Sequence, residues 1–138
     1  MQRHHDRQRW ASIFALCAVL LTGVAQAAPG SWVAQVPGMM VAMSDRQSTS
    51  QHAAPSPDAP VQGGEINRIQ WRFQHPPGQT VNAWLCQSER CTALTGMRGS
   101  TQAFAGEPAA APLHFRFTLP AGTRPVRVSG MQVIVNYQ

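Results

Sequence analysis

Two cysteines five positions apart, Cys86 and Cys91, have more chemistry to offer than any other pair in this sequence. A C-x4-C pair can close a short disulfide loop, supply half of a zinc site, or cycle as a redox couple. Zinc wants four ligands at motif spacing, and His52, His75 and His114 stand at no such spacing from the pair. A redox couple more often reads C-x-x-C. The disulfide is favoured if the compartment is oxidising. Closing so small a loop removes roughly 2 kcal/mol of unfolded-chain entropy. Other reactive constellations are missing from the sequence. There is no G-x-S-x-G elbow, no H-E-x-x-H pair and no glycine-rich phosphate loop ahead of a helix. Asp45, Asp58, Glu65, Glu89 and Glu107 are spread along the chain, whereas glycoside hydrolysis needs two carboxyls across a cleft. The sequence predicts a protein that is not an enzyme, with no catalytic residue, no metal and no cofactor.

Surface recognition is the chemistry that remains. Arg68, Arg72, Arg116 and Arg127 all fall on the polar side of alternating segments. On neighbouring strands of one sheet they would form a basic face suited to an acidic protein surface or an anionic saccharide. A plain solvated sheet face is the competing reading. Trp84 sits opposite Val81 and Leu85 in its alternation. Exposed, it could stack on a sugar ring or anchor a partner; otherwise it packs on the Cys86–Cys91 bridge or in the core. These five residues are the candidate partner-binding set.

The elements that must position them read as strands. Segment 65–74 alternates most clearly, with Asn67, Ile69, Trp71 and Phe73 on one face and Arg68, Gln70 and Arg72 on the other. Segments 31–36, 39–43, 80–87, 91–94, 113–119, 126–128 and 131–137 complete a set of about eight strands. Turns fall at Pro37-Gly38, Pro76-Pro77-Gly78 and Pro120-Ala121-Gly122. Cys86 and Cys91 would then staple a hairpin. The apolar run from Val133 to Tyr137 would expose a pairing edge if it lay outermost; an interior position is the favoured reading. The stretch 44–64, with Pro55, Pro57 and Pro60 before Gly63-Gly64, is rich in Ser, Pro and Ala. It reads as a loop or mobile insert, too poor in apolar surface to repay its ordering. No internal repeat and no convincing helical period occurs. The expected fold is all-β, a single-domain antiparallel β-sandwich over 28–138.

The N-terminus supplies the compartment. Arg3, Arg7 and Arg9 precede a largely apolar run from Ala11 to Val24, and Ala25-Gln26-Ala27 follows as an A-x-A site. This predicts a secretory signal peptide over 1–27, cut between Ala27 and Ala28. The run falls short of the roughly 20 apolar residues a membrane anchor needs. Cys17 lies inside it and leaves with it. A periplasmic protein with no stable membrane anchor is expected, and export removes cytoplasmic nucleic acid as a partner. All 11 basic residues are Arg, and the formal net charge of the whole chain is +5. Beyond the signal, eight Arg face the five acids named above.

The motifs also resemble those of a known family. Trp71-Arg72-Phe73, the segment Leu85-Cys86-Gln87-Ser88-Glu89-Arg90-Cys91 with Leu94 and Gly96, and Gly99-Ser100-Thr101 with Phe104 are shared features. So are Pro112-Leu113-His114-Phe115, the ending from Gln132 to Tyr137, and the entry Gly30-Ser31-Trp32. In their order and spacing they resemble the flagellar FlhE family, small periplasmic proteins encoded beside the flagellar export-apparatus genes. The stretch 48–64 departs from that pattern. The resemblance implies a periplasmic accessory of the flagellar type III export system, associated with assembly, swarming motility and limiting proton leak through the export channel. It brings no catalytic residues, and it implies a structural bridge at Cys86 and Cys91. A rod, hook, basal-body or export-apparatus protein is the expected partner, bound by a plug or assembly chaperone. A carbohydrate-binding module for peptidoglycan is the rival class, supported by Trp84 and the outward arginines.

Overall fold

The computed structural model describes residues 28–138. The expected signal peptide, with Ala27 at its cleavage point, lies outside the described residues. Nine strands account for the regular structure: β1 (Gly30–Val36), β2 (Met39–Val41), β3 (Ser48–Thr49), β4 (Ile66–Gln74), β5 (Asn82–Gln87), β6 (Arg90–Leu94), β7 (Arg98–Thr101), β8 (His114–Thr118) and β9 (Val126–Tyr137). Among the described residues there is no helix. The chain is poor in helix periodicity and rich in Gly, Pro and β-branched alternation, so each short strand must find its hydrogen bonds in a neighbour.

All pairings are antiparallel and form two sheets. The five-stranded sheet runs β1-β9-β4-β7, with β2 also on β9; the four-stranded sheet runs β3-β8-β5-β6. β9 is the spine of the larger sheet. It pairs β1 along Met131–Tyr137, β2 along Val126–Val128, and β4 on its other side. The terminal apolar run is therefore interior, and the edge alternative does not arise.

The inner faces meet in one core. Ile69, Val133 and Val135 of the larger sheet and Leu85, Phe115 and Phe117 of the smaller are fully enclosed. Phe73 reaches across, its ring edge-on to Phe117 at 5.3 Å and to Phe115 at 6.3 Å. Each such phenylalanine contributes roughly 1.5–3 kcal/mol by leaving water. Trp32 is buried, and its indole Nε1–H donates to the Ala109 carbonyl at 2.9 Å. The fold is thus the all-β antiparallel sandwich that the alternation predicts.

Three details differ from the sequence reading. A register shift between Ile66 and Arg68 turns Ile66 inward and Asn67 outward, so Asn67 leaves the core face assigned to it. The segments 126–128 and 131–137 are one strand, kinked near Ser129 and Gly130, where Gly130 takes φ +59°. Two short strands, β3 and β7, have too few residues to show alternation.

The stretch 44–64 is integrated into the sandwich and is not a free insert. Ser48 and Thr49 pair with Phe117 and Arg116, Ala53 bridges Leu113, and the Ser50 N–H donates to the Phe115 carbonyl at 2.9 Å. Ala53 and Val61 are buried. The ordering cost is met by backbone hydrogen bonds to β8, which composition does not reveal.

Candidate partner-binding faces

The sandwich splits the five candidate residues between its sheets, with Arg68, Arg72 and Arg127 on the larger and Trp84 and Arg116 on the smaller. On the outer face of the larger sheet, register aligns two rows. Gln35, Gln132, Arg72 and Arg98 form one, across β1, β9, β4 and β7; Val33, Ile134, Gln70 and Ser100 form the next. Arg68, opposite Asn136, follows four residues along β4 from Arg72. Arg68, Arg72 and Arg98 border an open groove of about 420 Å³, with Gln70, Ser100 and Gln132 between them.

Arg98 was not among the sequence candidates. It opens a four-residue strand, and only the pairing with β4 places it opposite Arg72. Among the described residues the ion pairs are Arg90–Glu107 at 2.6 Å and Arg116–Glu89 at 4.0 Å. Among the described residues, none of the three arginines of the groove therefore has a carboxylate within 4.0 Å. Two arginines directly opposite one another repel, an arrangement that costs a few tenths to about 1 kcal/mol.

The other candidates lie elsewhere. Arg127 is exposed near the start of β9, opposite Met40, on the part of the strand that β4 does not reach. Arg116 is on β8 in the smaller sheet, cross-strand from Trp84 on β5. The single basic face of four arginines does not form, because the chain deals β4 and β8 to different sheets. Arg68 and Arg72 stay together, and Arg98 joins them.

Trp84 is half-buried on the outer face of the smaller sheet, with Arg116 on one side and Ala93 on the other. Two residue pairs further, on the same face, lies the row His114, Cys86, Cys91. Cys86 and Cys91 are disulfide-bonded, their Cα atoms 4.1 Å apart. A two-residue turn, Ser88-Glu89, closes the hairpin, with Ser88 at φ +52°. Arg90 braces this end, donating to the Glu107 carboxylate and, at 2.9 Å, to the Ala103 carbonyl.

His114 is buried beside the bridge, and neither ring nitrogen has a hydrogen-bond partner among the described residues. His52 approaches it edge-on at 5.4 Å between ring centres. Burial, helped by the charge of Arg116 and by His52, lowers the His114 pKa, while Glu89 pulls it weakly upward. Among the described residues no group of three or more His, Cys, Asp or Glu could hold a metal ion.

These features define a small all-β sandwich with a stapled hairpin on one sheet and an unneutralised basic groove on the other. The family model of flagellar protein FlhE matches residues 38–138, and the chain belongs to that family. Flagellar protein FlhE of Escherichia coli K12 is 33% identical over 128 residues, covering 89% of this chain and 98% of its own. The Salmonella typhimurium protein of the same name is 34% identical over 120 residues, covering 83% of this chain and 90% of its own. A crystal structure of FlhE superposes with a TM-score of 0.71 at 31% identity, covering 81% of this chain and 99% of that one.

Proposed function

We propose that this protein is a periplasmic accessory of the flagellar type III export system, acting by binding and not by catalysis. It engages a rod, hook or export-channel component as a plug or assembly chaperone, limits proton leak through the channel and so supports swarming. Residues 1–27 serve as the cleaved signal and 28–138 as the working domain. The match to flagellar protein FlhE across 38–138 carries this reading. The N-terminal sequence adds a route out of the cytoplasm, and the Cys86–Cys91 bridge suits an oxidising compartment. Among the described residues no helix is long and apolar enough to cross a membrane.

The test is cytoplasmic pH after an external acid step in cells lacking this gene, with the export gate present and absent. Acidification only when the gate is present is the expected result. Unchanged pH in both backgrounds rejects the seal. The wall-binding alternative is weakened by the separation of Trp84 from Arg68 and Arg72 on opposite sheets, which leaves no joint sugar-binding platform.

A further inference from the structure

The groove of the larger sheet lies beside a strand with an unpaired side. β7 is the outermost strand there, bonded only to β4. The Phe73 N–H donates to the Met97 carbonyl at 2.9 Å, one residue pair beyond Arg72 and Arg98. Bonded and non-bonded pairs alternate along an antiparallel ladder. Trp71 with Gly99 and Ile69 with Thr101 are therefore bonded pairs. The backbone N–H and C=O of Arg98 and Ser100 consequently point away from β4, to the open side. Arg98, Gly99 and Ser100 are all exposed. The side chains of Arg98 and Ser100 stand on the outer face, the face that carries Arg72 and Arg68.

We propose that the open edge of β7 and the Arg68–Arg72–Arg98 face together dock an extended acidic segment of a protein partner. The segment adds as a further strand beside β7 and lays its carboxylates against the arginines. The inference rests on the binding role proposed above and names the chemistry of the partner.

Main-chain bonds from Arg98 and Ser100 supply affinity in such a strand addition, and side chains of alternate residues supply selectivity. Acidic residues at every second position share one face about 7 Å apart. They would meet Arg98 directly and Arg72 one strand further in, within reach of its long side chain. Arginine–carboxylate pairs can be bidentate, and they would relieve the repulsion between Arg72 and Arg98. A glycan fits the same groove poorly. Sugar rings want an exposed aromatic platform, but Trp71, though it lines the groove, is only 5% exposed, and Trp84 is on the other sheet.

The test uses the purified protein and a rhodamine-labelled ten-residue peptide in which Glu alternates with Thr, titrated by fluorescence anisotropy. Saturable binding is expected, with no binding of the matching Gln/Thr peptide. Arg72→Glu/Arg98→Glu should weaken it by about tenfold or more, the scale of a lost charge-assisted bond. Arg127→Glu, equally basic and exposed but remote from the groove, should leave it unchanged. Ser100→Pro removes an N–H on the open side and should weaken binding with every arginine in place. Melting curves confirm that each variant folds.

Equal loss in Arg127→Glu means unspecific charge attraction and overturns the proposal. So does full binding by Ser100→Pro, or sedimentation with peptidoglycan sacculi when the peptide does not bind. The peptide assay reports on this site alone, whereas the cellular pH assay reports on the flagellar role alone, so either can fail without the other.

Discussion

Gly99 lies against the indole of Trp71 across the β4–β7 ladder, so close that a Cβ there would stand 2.8 Å from the Trp71 Cζ2. Trp71 is a buried core residue, and its ring is held by a stacked Phe73 at 6.0 Å. Neither the ring nor the ladder can yield cheaply. Gly99→Ala is expected to destabilise the protein by about 1–3 kcal/mol, the range for overpacking. Urea denaturation measures it, and an unchanged midpoint would show that β7 can drift from its seat.

Removing the bridge should cost about 2 kcal/mol, because a loop of so few residues restores only a limited amount of unfolded-chain entropy. For a domain of this size that lowers the melting temperature by roughly 6–10 °C. Cys86→Ser/Cys91→Ser, compared with wild type by calorimetry under non-reducing conditions, checks the figure. A negligible shift would mean that the Ser88-Glu89 turn already holds the hairpin.

His114 sets a pH dependence whose sign is fixed. Its pKa in the folded protein lies below the ordinary 6.5, through burial first, then Arg116 and His52, against a weaker upward pull from Glu89. Below about pH 6.5 the unfolded chain therefore binds more protons than the folded one. The His114 contribution to stability falls as pH drops through 6.5 and levels off below the folded pKa. His114→Phe should flatten this part of the profile at little cost near neutrality, since the ring nitrogens have no bond to lose. Urea midpoints at about pH 7.5 and about pH 5.5 decide it. An identical drop in the variant would assign the effect to another group.

Arg98→Gln should raise stability by a few tenths of a kcal/mol, up to about 1, by ending the repulsion with Arg72. The gain should shrink in high salt, as befits exposed charges. A destabilised Arg98→Gln would show that the guanidinium is held by a favourable contact instead.

Much of the sandwich was legible in the sequence because burial on one face writes itself as alternation. The inward set Ile69, Trp71 and Phe73 followed from spacing alone, as did the outward Arg68 and Arg72. What alternation could not carry was pairing. Arg116 has the same local pattern as Arg72 but lies on the other sheet, and Arg98 has almost no local pattern yet faces Arg72 directly. The bulge at Asn67 breaks a period of two with a single residue. Stretch 44–64 looked unable to order itself because its anchors are backbone bonds to β8, and composition counts only side chains.

The position of β9 has a consequence for how the chain reaches its fold. The strand that joins β1, β2 and β4 is the last one in the sequence. Until it arrives, β1 and β2 have no partner in their sheet and the core lacks Val133 and Val135. The larger sheet therefore cannot assemble around its spine until the whole chain is present, whereas the smaller sheet, β3-β8-β5-β6, does not depend on β9. The chain's contacts are predominantly long-range, which also makes folding slow. That delay leaves the edges of β1, β2 and β4 that face β9 exposed until the final strand zips the sheet shut.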